Sequence, residues 1–363
     1  MNKIVFWFCV VTYFFFQPLA FAYKPYNELE ITNVTMETYP NSHTYKPGVE
    51  VTIGDLHGNA LKLVYFLIST GVMNLPKDEY KQLVTLYKKL PEELLDKDLS
   101  LFRAIIDNAS LNTSQKIRFL GDDLCDRGMN DYYTLYIYNK LDTAGVPFDV
   151  VLSNHGNFFL TAYEKPEHLF SYNPYGEGVK ESLVQSMLNM EKLISKGLVD
   201  RQNILNIIQN NYLKHLRLPG YIVNTKKNEM TLYTHAPVDL KIIAALAQDL
   251  NIPFDDSNMM ELTLSIENIN KQITQWIMGN NFTSHYDELK EKHQKLNNPS
   301  PLMQILWNRD YSILDRKQPV DKTYNISYVH GHDSMPNVFD LDNLFGKGPH
   351  NDHGPFAIHL THS

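Results

Sequence analysis

Cysteine is nearly absent. Only Cys9 and Cys125 occur in 363 residues. Cys9 lies in an apolar leader, so a processed chain keeps one thiol and cannot form an internal disulfide, despite an export route. Positive charge is also in deficit: 33 Lys and Arg stand against 41 Asp and Glu, for a net charge of −8. That excludes a general nucleic-acid binder, whose affinity needs broad basic surface. A second apolar run long enough to span a bilayer is missing, as are low-complexity tracts, clear repeats and the ligand sets of haem or iron–sulfur centres. With 43% hydrophobic residues, the chain can bury one large core or two ordinary ones.

The first 22 residues stand apart. Lys3 gives a short positive start, Ile4 to Phe16 is almost unbroken apolar sequence, Gln17-Pro18 interrupts it, and Ala20-Phe21-Ala22 offers small residues for cleavage. This reads as a signal peptide removed after Ala22; an uncleaved anchor is the alternative. The expected product is a single catalytic domain over 23–363, periplasmic or secreted, with no stable membrane insertion.

The centre of the pattern is Phe119-Leu120-Gly121-Asp122-Asp123-Leu124-Cys125-Asp126-Arg127-Gly128. An apolar strand stops at a glycine, and three acids follow that repel one another unless a cation holds them. Four other strands end in similar residues. Val51-Thr52-Ile53 leads into Gly54-Asp55-Leu56-His57-Gly58, with a helix from Ala60 to Thr70 behind it. Asp55 and His57, at i and i+2 in one loop, can face the same borderline divalent metal. Pro147 to Leu152 leads into Ser153-Asn154-His155-Gly156. A hairpin over 221–233 delivers Thr234-His235, and Ile326 to Val329 delivers His330-Gly331-His332-Asp333.

Other stretches read as scaffold. Residues 76–114 carry Leu83, Leu86, Tyr87, Leu90 and Leu94 at helical spacing, with Pro91 splitting them into two helices of an insertion that packs its own stripe. Further helices are expected over 131–141, 182–216, 239–250 and 262–277. Phe339 to Asp342 and Pro355 to His359 are candidate strands of a closing sheet. The histidines at 350, 353, 359 and 362 are expected in a polar tail, and His330 at a strand end behind the site.

Together the strand ends offer three His, two Asp and one Asn as ligands, with His155 and Asp126 left over. One metal does not need six protein ligands, but two metals sharing a carboxylate do, and two metals can make hydroxide available near neutral pH. Arg127 beside them offers a bidentate fork for a phosphoryl group.

These motifs, in this order over residues 54–333, resemble the calcineurin-like metallophosphoesterases, and within them the phosphoprotein phosphatase branch. The resemblance implies an α/β sandwich of two mixed β-sheets flanked by helices, with the helical insertion at about 76–114 overhanging the site. It implies Asp55 and His57 on a first metal, Asp122 bridging, and Asn154, His235 and His332 on a second. His155 would be the general acid, oriented by Asp126. Arg127 and Asn154 would bind the phosphate, and Leu306-Trp307-Asn308-Arg309 is similar to a segment supplying a second clamp, Arg309. The alternative for Arg309 is an ion pair with Asp310.

The implied cofactor is a pair of divalent ions, manganese first, with iron, zinc or magnesium as alternatives. The implied partner is a phosphorylated protein or peptide. Departures from the family pattern are the extra residue after Gly121, which leaves Asp122 or Asp123 as the bridge with Asp122 preferred; Gly156 in place of a carboxylate; Ala236-Pro237 in place of two glycines; and the insertion. They are similar to those of phosphatase effectors of intracellular pathogens, some of which prefer phosphotyrosine. Two rival functions are a nucleotide or dinucleoside-polyphosphate phosphohydrolase and a catalytically inactive partner-binding relative. Oligomeric state is not encoded in these patterns.

Overall fold

The computed structural model describes residues 28–165, 170–310, 323–333, 340–348 and 351–362. The leader, His350, and Phe339 of the expected strand over 339–342 lie outside these residues.

In chain order the elements are β1 (Glu28–Thr35), β2 (Val49–Ile53), α1 (Ala60–Ser69), β3 (Met73–Asn74), α2 (Lys77–Tyr87), α3 (Asp96–Asn108), β4 (Ser110–Leu111), β5 (Lys116–Phe119), α4 (Asp131–Thr143), β6 (Phe148–Val151), α5 (Asn154–Glu164), α6 (Gln185–Ser195), α7 (Arg201–Ile207), β7 (Leu216–Arg217), β8 (Gly220–Asn224), β9 (Glu229–Thr234), α8 (Leu240–Asp249), α9 (Met259–Met278), α10 (Phe282–Lys295), α11 (Pro301–Trp307), β10 (Asn325–His330) and β11 (His353–His362).

A six-stranded sheet runs β1-β11-β2-β5-β6-β7 and a three-stranded sheet runs β10-β9-β8. In the first, β2, β5, β6 and β7 are parallel neighbours, while β11 pairs antiparallel with both β1 and β2. In the second, β9 is parallel to β10 and antiparallel to β8. Both sheets are therefore mixed. Leu120, Val151 and Ala357 from the first meet Ile222, Tyr233 and Val329 from the second in one dry seam. Helices cover the larger sheet and share a continuous core with it.

Local sequence explains the helix starts. Asn59, Asn130 and Ser153 sit at the N-caps of α1, α4 and α5, and each accepts a hydrogen bond from a backbone N–H of the first turn. Pro91 separates α2 from α3 as expected. Their apolar stripe does not form a core of its own: Tyr80, Leu83 and Phe102 join the main core, with Phe102 against Tyr133 at 4.5 Å. Leu90, assigned to that stripe, is 53% exposed.

Three other expectations are corrected. Asp340 to Asp342 is not a strand; apart from one bridge between His330 and Asp340, it is loop. The C-terminal histidines are not on a polar tail, because β11 is inserted between β1 and β2. Its His359 is buried and His353 exposed, and six residues of extended strand, about 20 Å, separate them, so they do not share a site. The expected single helix over 182–216 is two helices, broken at Gly197 with φ of 71°, then a π turn at Ile208–Tyr212.

Phe119 is fully buried and meets Phe66, Tyr138 and Phe148 at 5.5–6.3 Å. Phe119→Ala is expected to lower unfolding free energy by about 3–5 kcal/mol, read from the shift in urea midpoint at constant slope.

Candidate active site

Parallel strands end at one edge of a sheet, and their following loops meet there. β2, β5 and β6 deliver Asp55, Asp122 and Asn154, while β9 and β10 of the other sheet deliver His235 and His332. The chain must reverse sharply after each strand. His57, Asp122, Cys125 and His332 take left-handed backbone with φ of 58°, 48°, 57° and 79°. For residues with a side chain this costs of order 1–3 kcal/mol each and is held only where surroundings over-determine it. Two glycines permit the approach of neighbouring loops. A Cβ on Gly128 would lie 1.7 Å from the Gly58 carbonyl oxygen, and one on Gly331 would lie 1.9 Å from Asp55 Oδ1.

Ser153 serves two loops at once. Its Oγ accepts from Gly156 N at 2.9 Å, capping α5, and also from Asp122 N at 2.9 Å. One hydroxyl thus ties the β5 loop to the β6 loop.

The side chains expected to share one ion converge. His235 Nε2 lies 2.8 Å from Asn154 Oδ1, 3.0 Å from His332 Nδ1 and 3.5 Å from Asp122 Oδ1. His235 Nδ1 is 2.8 Å from the Leu120 carbonyl and donates to it, which leaves Nε2 a lone pair. All four residues are buried. Burial holds the His235 imidazole below its ordinary pKa, and burial with the nearby His235 pushes His332 down to about 3. Burial thus favours the neutral form of both rings, the form that ligates metals.

Asp55 and His57 form a second group that Asp122 also joins. Donor atoms of three buried trios lie within 4.8 Å of one another: Asp55, His57 and Asp342; Asp55, Asp122 and His235; His57, Asp122 and Asp126. Burial, then Asp342 and Asp122, push the Asp55 carboxyl well above its ordinary range, though both its oxygens lie within 3.2 Å of His332 N. Burial also acts to raise Asp122, but the rings of His235, His155 and His332 outweigh it and hold it low. A set of Asp, His and Asn donors, with His332 Nε2 and Asp342 Oδ1 buried without a hydrogen bond, fits divalent cations of borderline character.

Asp342 was missed from sequence, where its segment read as a strand; its signal was an acid in a loop after the late Gly-His. Lys62 was missed as well. Fully buried on α1, it donates to the carbonyls of Asp55 at 2.6 Å and Phe345 at 2.9 Å. Burial lowers it to about 8 against the pull of Asp342 and Asp55.

The remaining residues are arranged less simply. His155 Nδ1 donates to the Cys125 carbonyl at 2.6 Å, and its Nε2 is 3.6 Å from Asp126 Oδ1. Asp126 does not hydrogen-bond that ring directly. It binds Arg127 Nη1 at 2.6 Å and His57 Nδ1 at 3.3 Å, so its orienting contact is to His57. The Arg127 side chain is 30% exposed. Arg309 is 57% exposed and pairs with Asp333 at 2.7 Å, not with Asp310. Phe158 stands 5.7 Å from His155, 6.0 Å from Tyr175 and 5.3 Å from Trp307.

The two acids after Gly121 diverge. Asp122 faces the histidines, whereas Asp123 is buried against Tyr212 and Tyr138 and is pushed up to about 7, mainly by burial. Only Asp122 is placed to bridge the two groups. The extra residue in the motif goes into the core behind the site, where Asp131 accepts from Cys125 N at 2.8 Å.

Comparison with known proteins gives this geometry a family. The model of the WipA-like phosphatase domain matches residues 116–347. The chain belongs to that family. The matched span carries every loop above except that of Asp55 and His57. The crystal structure of the phosphatase domain from the Legionella effector WipB is 25% identical, superposes with a TM-score of 0.66, and covers 78% of this chain and 99% of its own. A cold-active protein-tyrosine phosphatase of a psychrophile Shewanella species is 15% identical over 72% of this chain and 67% of its own, with a TM-score of 0.27 that carries no argument. No curated protein matches. This chain therefore carries a phosphatase domain, with a buried acidic and histidine cluster able to hold metal.

Gly331→Ala is expected to keep the fold but displace Asp55. Loss of phosphatase turnover by about 10²-fold with an unchanged far-ultraviolet circular dichroism spectrum is the check. A second expectation concerns pH. Burial pushes Asp131 up to about 8. Because the folded state holds this proton above the unfolded pKa, the stability it confers is present at low pH and fades as pH rises through about 8. Asp131→Asn, measured in chelator, should lose less melting temperature than the parent between pH 6 and pH 9.

Proposed function

We propose that this protein is a dinuclear metal-dependent phosphatase of the calcineurin-like type, hydrolysing phosphomonoesters on phosphorylated proteins. One observation carries the reading: Asp122 shares one buried donor trio with Asp55 and His235 and another with His57 and Asp126, while His235 gathers Asn154 and His332. The two-sheet seam with loops at one edge supports the same fold reading.

Asp55, His57 and Asp122 would hold one ion, and Asp122, Asn154, His235 and His332 the other. Manganese is the first candidate for this mixed donor set, with iron, zinc and magnesium as alternatives. When bound, the ions would supply Lewis acidity toward phosphoryl oxygens and an activated water for in-line attack.

The chain's own residues do the rest. Arg127, anchored through one nitrogen on Asp126, keeps its other donors for phosphate oxygens, and Arg309 adds a second cation from the rim. His155 is fixed by its Nδ1–H on the Cys125 carbonyl, so the proton it gives a leaving oxygen must sit on Nε2, the nitrogen facing Asp126. Burial would neutralise Asp126, but His155 and His57 hold it ionised, so it stays available to Arg127 and both rings. Phe158, Tyr175 and Trp307 form an aromatic wall beside His155 on which a substrate side chain can pack. Export through the leader, with the catalytic domain over 23–363, and an effector role like that of WipB belong to the same proposal.

The test is hydrolysis by the chain from Tyr23 with Mn²⁺ of p-nitrophenyl phosphate, phosphotyrosine, phosphoserine and phosphothreonine peptides, and a dinucleoside polyphosphate. Turnover should need metal, fall about 10²–10⁴-fold in His155→Ala, and be lost in Asp122→Asn. Arg127→Ala should raise KM. Preference for the dinucleotide would replace the protein substrate; no turnover from folded protein with any metal would sink the enzyme.

A further inference from the structure

The loop over 340–348 is fastened to the first donor group at several points. Leu341 N donates to the His330 carbonyl at 2.9 Å. Asn59 Nδ2 donates to the Gly346 carbonyl at 3.1 Å, and Lys62 Nζ to the Phe345 carbonyl at 2.9 Å. Within the loop, Asp342 N donates to Asp340 Oδ1 and Phe345 N to Asn343 Oδ1, at 2.9 and 3.0 Å. A segment held this firmly presents its side chains in fixed positions.

What it presents is Asp342. The side chain is fully buried, and its two oxygens differ. Oδ2 is 3.3 Å from Lys347 Nζ on the outer side. Oδ1 points inward, 3.0 Å from His57 Nε2, the nitrogen that also meets the Asn343 carbonyl oxygen at 3.1 Å. One ligand atom each of Asp342, His57 and Asp55 lies within 4.8 Å of the other two. A buried carboxylate set beside another carboxylate is costly unless a cation lies between them. The lysines do not fill that role, since Lys62 Nζ is spent on two carbonyls and Lys347 engages the outer oxygen.

We infer that Asp342 is an additional protein ligand of the first divalent ion, delivered by the loop over 340–348 and completing a set of Asp55, His57, Asp122 and Asp342. This rests on the two-ion reading above. It makes the two ions unlike. The first would sit among three carboxylates and one imidazole, a hard, charge-rich set. The second would sit among one carboxylate, one amide and two imidazoles, leaving it more positive and better suited to polarise the phosphoryl group. Asp342 then explains why a loop far along the chain is pinned to the first motif.

The experiment is Mn²⁺ titration by calorimetry of the full chain and of Asp342→Ala, after stripping with chelator and with folding checked by circular dichroism. The parent should take two ions. Asp342→Ala should keep one at parental affinity and bind the other at least about 10-fold more weakly, the scale on which site residues tune metal affinity. The second variant is Asp342→Cys loaded with Co²⁺, which should show a thiolate-to-cobalt charge-transfer band in the near ultraviolet that the parent, with its buried Cys125, lacks. Two ions at parental affinity in Asp342→Ala, or no such band in Asp342→Cys, would overturn the assignment. A parent that binds no Mn²⁺ would overturn the two-ion reading itself, a separate result.

Discussion

Like charge crowded into a dry edge is the constraint on which the rest of this structure depends. Asp55, Asp122, Asp126 and Asp342 are all buried there. Two unit charges at 4 Å repel by about 4 kcal/mol even at an effective dielectric of 20. The protein answers with the ring of His57 on Asp126 and Asp342, with Lys62 and Arg127, and with the backbone N–H of His332 on Asp55. That balance still leaves Asp55 pushed well above its ordinary range by burial, Asp342 and Asp122, in a cluster whose donors are close enough together to hold metal.

The scaffold is arranged so that the crowded edge cannot relax. Strands β2, β5 and β6 are paired in register, and their ends are locked by Ser153, by the contact of Gly58 with Gly128, and by Gly331 against Asp55. Four residues of the loops carry left-handed backbone. Strain of that kind persists only over a rigid core, and the aromatic cluster around Phe119 and Tyr138 supplies it directly beneath. Behind the loops, Asp123 and Asp131 are held toward their neutral forms by burial, so they add polar anchorage without adding to the repulsion in front.

The exposed rim is chemically distinct from this interior. Arg127 reaches from the buried Asp126 toward solvent, Arg309 lies further out on Asp333, and an aromatic wall runs from Phe158 to Trp307 and Tyr175. Membership in the WipA-like phosphatase family and the likeness to the WipB phosphatase domain give this chain a phosphatase domain; in the function proposed above, the buried ionic edge would handle the ester and the rim what carries it.

Much of the site was legible before folding, because each candidate side chain follows a short apolar strand, after a glycine at Asp55, Asp122 and His332, a serine at Asn154 and a threonine at His235, and strand ends of neighbouring sheets can meet at one edge. Asp55, His57, Asp122, Asn154, His155, His235 and His332 could all be picked out in this way. The helices from α1 to α4 were legible too, from apolar spacing and capping residues. What only the tertiary structure decided has a common cause: it depends on contacts between distant segments. Neither β11 nor β1 declares its position in the sheet, since a strand's neighbours are set by pairing energy and not by its own pattern. Asp122 and Asp123 are identical side chains in adjacent positions, and only the left-handed turn at Asp122 sends one to the histidines and the other into the core. Asp342 carries no motif at all; the folded loop, fastened by Lys62 and Asn59, brings it to His57.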